Sequence, residues 1–107
     1  MAFQITDLTC NHMKNPIGMD DVPYFSYKLV DNGSDEKLTA YQIIVDDGTM
    51  IMWNSGRVPK DKQLLIKYDG KSLKPQTRYF WRVLAWNNHG ECSESQQAYF
   101  ETGLMQP

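Results

Sequence analysis

Few residues in this chain are placed to do chemistry, and its carboxylates are the first to weigh. General acid–base catalysis pairs a carboxyl whose pKa is raised, by burial or a like charge, with one that stays ionised. Most of the acidic residues fall in turn-like stretches: Asp20–Asp21, Asp31, Asp35–Glu36, Asp46–Asp47, Asp61, Asp69 and Glu91. Turn carboxylates are solvated and cap backbone N–H groups, so they lack the raised pKa. Asp46–Asp47 comes closest to a pair, but neighbours on a strand point to opposite faces. Metal ligands are as sparse. Cys10 with His12, and His89 with Cys92, supply the right residue types but no CxxC spacing. There is no GxSxG elbow, no GxGxxG or P-loop glycine pattern, and no Arg-Gly-Asp tripeptide. The expectation is therefore no catalytic residue, no cofactor-binding residue and no metal.

The elements that would position such residues belong to one domain, residues 1–107, long enough to bury a single core without metal or disulfide help. Eleven basic against thirteen acidic residues leave a net charge of −2, which argues against a nucleic-acid partner or an anionic membrane surface. No apolar run is long enough to span a bilayer. The opening "MAFQITDL" lacks the basic and long apolar regions of a signal peptide. Reduced cysteines and that opening favour a cytoplasmic over a secreted setting. The sequon at Asn32 matters only in a secreted eukaryotic protein; otherwise Asn32-Gly33 is a turn.

Short runs rich in β-branched and aromatic residues recur between turn signals, and helical periodicity is absent. Seven strands are predicted: "FQITDLTC", "YFSYKLV", "TAYQIIVDD", "MIMWNSG", "KDKQLLIKY", "TRYFWRVLAWN" and "SQQAYFETG". Such a pattern specifies an all-β, antiparallel β-sandwich. The sixth strand is overfilled. Tyr79, Trp81, Val83 and Ala85 share one face and suit a core; Phe80, Arg82, Leu84 and Trp86 share the other.

The spacing Leu73-x-Pro75-x-Thr77-x-Tyr79 ahead of that strand resembles a fibronectin type III domain, an immunoglobulin-like sandwich. The resemblance implies a tyrosine corner in which Tyr79 bonds to backbone just upstream, with Leu73 and Pro75 shaping the crossover. Six stretches resemble a narrower family over nearly the whole length: "ITDLTCNHMKNPIGMD", "PYFSYKL", "TAYQIIV", "MWNSGRV", "TRYFWRVLAWNNHG" and "FETGL". That family is the N-terminal, non-catalytic domain of bacterial α-L-rhamnosidases. One departure is Tyr27, where the family usually has Trp. The resemblance implies a fragment of a larger enzyme whose relatives continue into further β-domains and a catalytic α/α barrel. The two carboxyls of an inverting glycosidase would then lie in other segments.

The outer face of the sixth strand carries the one functional signal. Phe80, Arg82, Leu84 and Trp86, joined by Ile44 from the third strand and Trp53 at the edge, form a candidate docking surface for other domains of the parent enzyme. An alternative is a platform for rhamnose-containing carbohydrate, since flat rings stack on sugars. A third reading leaves the rings half-covered and binding nothing. Aliphatic neighbours favour docking. Cys10 and Cys92 are expected near opposite poles, about 20 Å apart by strand rise, as free thiols.

Overall fold

The computed structural model describes residues 3–31 and 37–104, with only the backbone described at Asp31. The Asn32 turn therefore lies outside the described residues. Among them are eight strands and no helix: β1 (Phe3–Cys10), β2 (Tyr24–Asp31), β3 (Leu38–Asp46), β4 (Ile51–Asn54), β5 (Ile66–Lys67), β6 (Arg78–Asn87), β7 (Cys92–Glu94) and β8 (Ala98–Glu101). They form a three-stranded sheet, β1-β2-β5, and a five-stranded sheet, β4-β3-β6-β7, with β8 also on β6. Every strand pairing is antiparallel.

Eight strands replace the expected seven because the last one is broken. β7 pairs with the second half of β6 and β8 with the first, on the same edge. Ser95 makes the break. Its N–H donates to the Val83 carbonyl (2.8 Å), and its hydroxyl accepts from the Val83 N–H (2.9 Å). One residue thereby satisfies both backbone groups of Val83, and the chain can leave the sheet. The fifth predicted strand shrinks to two residues for a related reason. Leu65 takes a left-handed φ of 55° and gives its N–H to the Ser26 hydroxyl (2.9 Å), so no ladder extends through it.

The core lies between the sheets, where β6 alternates buried and half-buried positions along its length. Phe25 of the small sheet meets Trp81 of the large one, ring centroids 4.5 Å apart, and Phe100 at 5.9 Å; Phe100 in turn stacks on Tyr79 at 5.4 Å. Each such ring, fully withdrawn from water, contributes about 1.5–3 kcal/mol. Tyr27 is also fully buried, and its hydroxyl donates to the Lys62 carbonyl at 2.9 Å. A Tyr therefore fills the position where a Trp was expected, using its polar end to tie down the loop after β4.

The two poles are distinct. At one, Phe3 of β1 reaches β7 through a Ser93 hydroxyl bond to its carbonyl (2.8 Å). At the other, Met19 pairs with Thr102 in an isolated parallel bridge, next to the Cys10 end of β1.

Candidate functional site

The outer face of the five-stranded sheet follows from register. Phe80 pairs with Asp46 and Tyr99, Arg82 with Ile44, Leu84 with Gln42 and Glu94, and Trp86 with Ala40 and Cys92. Paired residues share a face, so these side chains form rows across the sheet. The structure thus brings together Phe80, Arg82, Leu84, Trp86 and Ile44. Trp53 is a correction. It pairs with Val45, an inward residue, and a bulge at Met52 separates it from the Asp46–Ile51 pair. The bulge turns Trp53 inward, where it contacts Phe25 (6.1 Å) and Tyr68 (5.4 Å).

The face is not bare. The Arg57 guanidinium lies 4.5 Å from the centre of the Trp86 ring, and Arg78 lies 4.3 Å from that of Tyr99. Arg82 pairs with Glu94 at 3.0 Å, and Arg78 with Glu101. Ile44 is only 8% exposed, while Phe80, Leu84 and Trp86 are half-buried. Guanidinium groups hold their planes over ring faces while their outer edges stay wet, so this chain supplies much of its own cover. Sequence reasoning missed Arg57, because no local signal connects it with a ring 29 residues later.

The crossover before β6 forms a clamp. The Tyr79 hydroxyl accepts from the Lys74 N–H (2.8 Å), and the Thr102 hydroxyl donates to the Lys74 carbonyl (2.5 Å). Thr102 also accepts from the Thr77 N–H (3.0 Å). Leu73 packs against the core, and the Pro75 carbonyl accepts from the Thr77 hydroxyl (2.9 Å). Gly103 completes the clamp: it takes the Gln76 N–H on its carbonyl (2.9 Å) and gives its own N–H to Met19 (2.6 Å). A Cβ on Gly103 would sit 2.5 Å from Asp20 Oδ1 and 2.9 Å from the Gly18 carbonyl, so the approach requires glycine. The "FETGL" stretch is thus explained by geometry. "MWNSGRV" is explained likewise: Ser55 bonds both backbone groups of Ile43, its hydroxyl accepting at 2.9 Å and its N–H donating at 3.0 Å.

The residues weighed for chemistry are dispersed. Asp46 Oδ1 accepts from Gly48 N–H, and Asp47 Oδ1 from the N–H groups of Thr49 and Met50, all at 2.8 Å. The Met50 and Thr49 amides lower the Asp47 pKa, opposite to the shift a catalytic acid needs. Cys10 and Cys92 are free thiols, one buried and one exposed. Burial pushes the Cys10 thiol up to about 12, making it an inert core group against Met19, Sγ to Sδ 3.7 Å. Among the described residues no His, Cys, Asp and Glu side chains gather into a metal-holding group. A groove of about 650 Å³ runs between β1 and the β7–β8 edge, lined by Gln4, Thr6, Lys14 and Gln97 among others.

Residues 5–106 match the family model described as the Rha78A-like, N-terminal immunoglobulin domain. An α-L-rhamnosidase of Streptomyces avermitilis is 34% identical over 97% of this chain, which corresponds to 11% of that protein. The crystal structure of S. avermitilis α-L-rhamnosidase complexed with L-rhamnose superposes with a TM-score of 0.91 at 32% identity, covering 97% of this chain and 11% of that one. The α-L-rhamnosidase from Dictyoglumus thermophilum superposes with a TM-score of 0.89 at 38% identity, covering 96% and 12%. The chain therefore spans about a ninth of the length of these relatives.

Proposed function

Because this chain belongs to the Rha78A-like N-terminal immunoglobulin-domain family, we propose that it is the non-catalytic accessory domain of an α-L-rhamnosidase, docked against the enzyme's other domains. The parent is a glycoside hydrolase acting on terminal rhamnose, and the acid and base of its inverting hydrolysis are supplied by segments outside these 107 residues. The observation that carries this reading is the match over residues 5–106 to a domain that makes up about 11% of each relative. The shared motifs support it, because the residues in them close loops and hold strand ends. Thr102, Gly103, Ser55 and Tyr79 are spent on backbone hydrogen bonds and close packing.

The domain composition is tested by expressing the longer reading frame and this chain side by side on a nitrophenyl α-L-rhamnoside. The longer chain is expected to release nitrophenol and the 107-residue chain is not. Turnover by the short chain alone would overturn the reading. Phe80, Arg82, Leu84, Trp86 and Ile44 are proposed as part of the docking contact. Trp86→Ala in the longer chain is expected to lower its stability; unchanged stability and activity would remove this face from the contact.

A further inference from the structure

We propose that the pole of the sandwich at which Gly103–Leu104 emerge is the principal docking surface for the domain that follows in the longer chain. This rests on the accessory-domain reading above, and it adds where the partner sits. Six of the ten large apolar side chains most exposed among the described residues lie at this pole: Met13 (50% exposed), Ile17 (69%), Val22 (47%), Met50 (48%), Ile51 (51%) and Leu104 (59%); Tyr24 opens β2 at the same end, while Leu64 and Leu65 lie beside the middle of β2. At the opposite pole, Val30 is the one such side chain among the described residues.

Strand pairings place the six at the same end of the sandwich. Met13 bridges back to Cys10 at the end of β1, and Val22 precedes the start of β2. Ile17 and Leu104 flank the Met19–Thr102 bridge. Met50 ends the β3–β4 turn and Ile51 opens β4 opposite Asp46, whose partner Phe80 lies at the beginning of β6. Single apolar side chains on a surface are ordinary, but a set concentrated at one end marks an interface. The outer sheet face differs, since Arg57 and Arg78 already cover its rings. The one guanidinium–ring contact at this end among the described residues, Arg78 on Tyr99, lies on the outer face of β6 and β8 and covers none of the six.

The covalent path selects the occupant. Thr102 and Gly103 are bonded to Lys74, Gln76, Thr77 and Met19, so the chain up to Gly103 is held firmly at the apolar end. Relatives are about nine times longer than the matched region, enough for a following domain to cover it. A clamped exit delivers that domain onto the same end, where its own apolar surface would meet Ile17 and Leu104. Tethering makes the contact intramolecular, so even a modest interface forms.

The test uses the longer chain carrying Ile17→Asp together with Leu104→Asp, with Val30→Asp at the far pole as control. Limited proteolysis between this domain and the next is expected to quicken about tenfold in the double variant and to stay unchanged in the control. Both altered sites are exposed in this domain, so its near-ultraviolet circular dichroism should persist. If that signal is lost, the Ser/Ser pair at the same positions takes the place of the Asp pair. Cleavage at the wild-type rate in the folded double variant, or equal acceleration by Val30→Asp, overturns the proposal. Rhamnosidase activity of the unmodified longer chain, measured on the same preparation, separates the two readings. Its absence would defeat the enzyme assignment, while the proteolysis comparison would still decide the docking surface.

Discussion

The peptide of Lys74 is held on both sides, its N–H by Tyr79 and its carbonyl by Thr102, and most of the residue-scale predictions follow from this clamp. Tyr79→Phe keeps the ring stacked on Phe100 but leaves the Lys74 N–H without its acceptor. The variant is expected to lose about 1 kcal/mol or more, read as a lower midpoint in urea with an unchanged slope. Gly103→Ala is predicted to cost about 1–3 kcal/mol, because the new methyl meets the Gly18 backbone, which cannot swing aside. An undiminished thermal midpoint for Gly103→Ala would show that the strand end shifts freely. The Leu73-x-Pro75-x-Thr77-x-Tyr79 spacing made Tyr79 legible in the sequence, whereas Thr102 was not. Its partners Lys74 and Thr77 are more than 20 residues away, and only the return of β8 beside β6 joins them.

At the scale of elements, Ser55 and Ser95 perform the same task on the two central strands. Each takes a backbone N–H on its hydroxyl, returns its own N–H to the same residue, and lets an edge strand depart. Ser95→Ala would leave the buried Val83 N–H unsatisfied, and a loss of about 1–3 kcal/mol is expected in chemical denaturation. A neutral substitution would mean that water reaches that amide. β6 was readable from alternation alone, since ten residues with one buried face leave no other register. The break between β7 and β8 was not, because serine is common in turns and strands alike. Trp53 was misplaced for a physical reason too: period-two counting fails across a bulge, and the Met52 bulge becomes visible only once β4 is paired with β3.

For the whole molecule, burial of ionisable groups sets the alkaline limit of stability. The Cys10 thiol is raised from 9.0 to about 12, and the Tyr68 phenol from 10.0 to about 12, both chiefly by desolvation. A raised folded-state pKa means the unfolded chain gives up its proton first. Stability from these groups is therefore complete below about pH 9 and declines as the pH rises from there to about 12, with Cys10, the more deeply desolvated of the two, giving the larger share. Cys10→Ala is expected to flatten the first part of that decline in urea melts taken between pH 8 and 11; an unchanged slope would mean Cys10 does not contribute. Titration with rhamnose is expected to leave tryptophan fluorescence flat, since Trp81 and Trp53 face inward and Trp86 lies under Arg57. A saturable change would revive the carbohydrate platform. By itself the sequence determined the all-β sandwich, the two faces of β6 and the kinship with rhamnosidase N-terminal domains, because alternation and turn chemistry act over a few residues. Only the tertiary structure decided which apolar side chains stay wet. Cover comes from residues remote in the chain, as Arg57 over Trp86 shows, and the exposure of Ile17 and Leu104 at one end appears only when both sheets are in place.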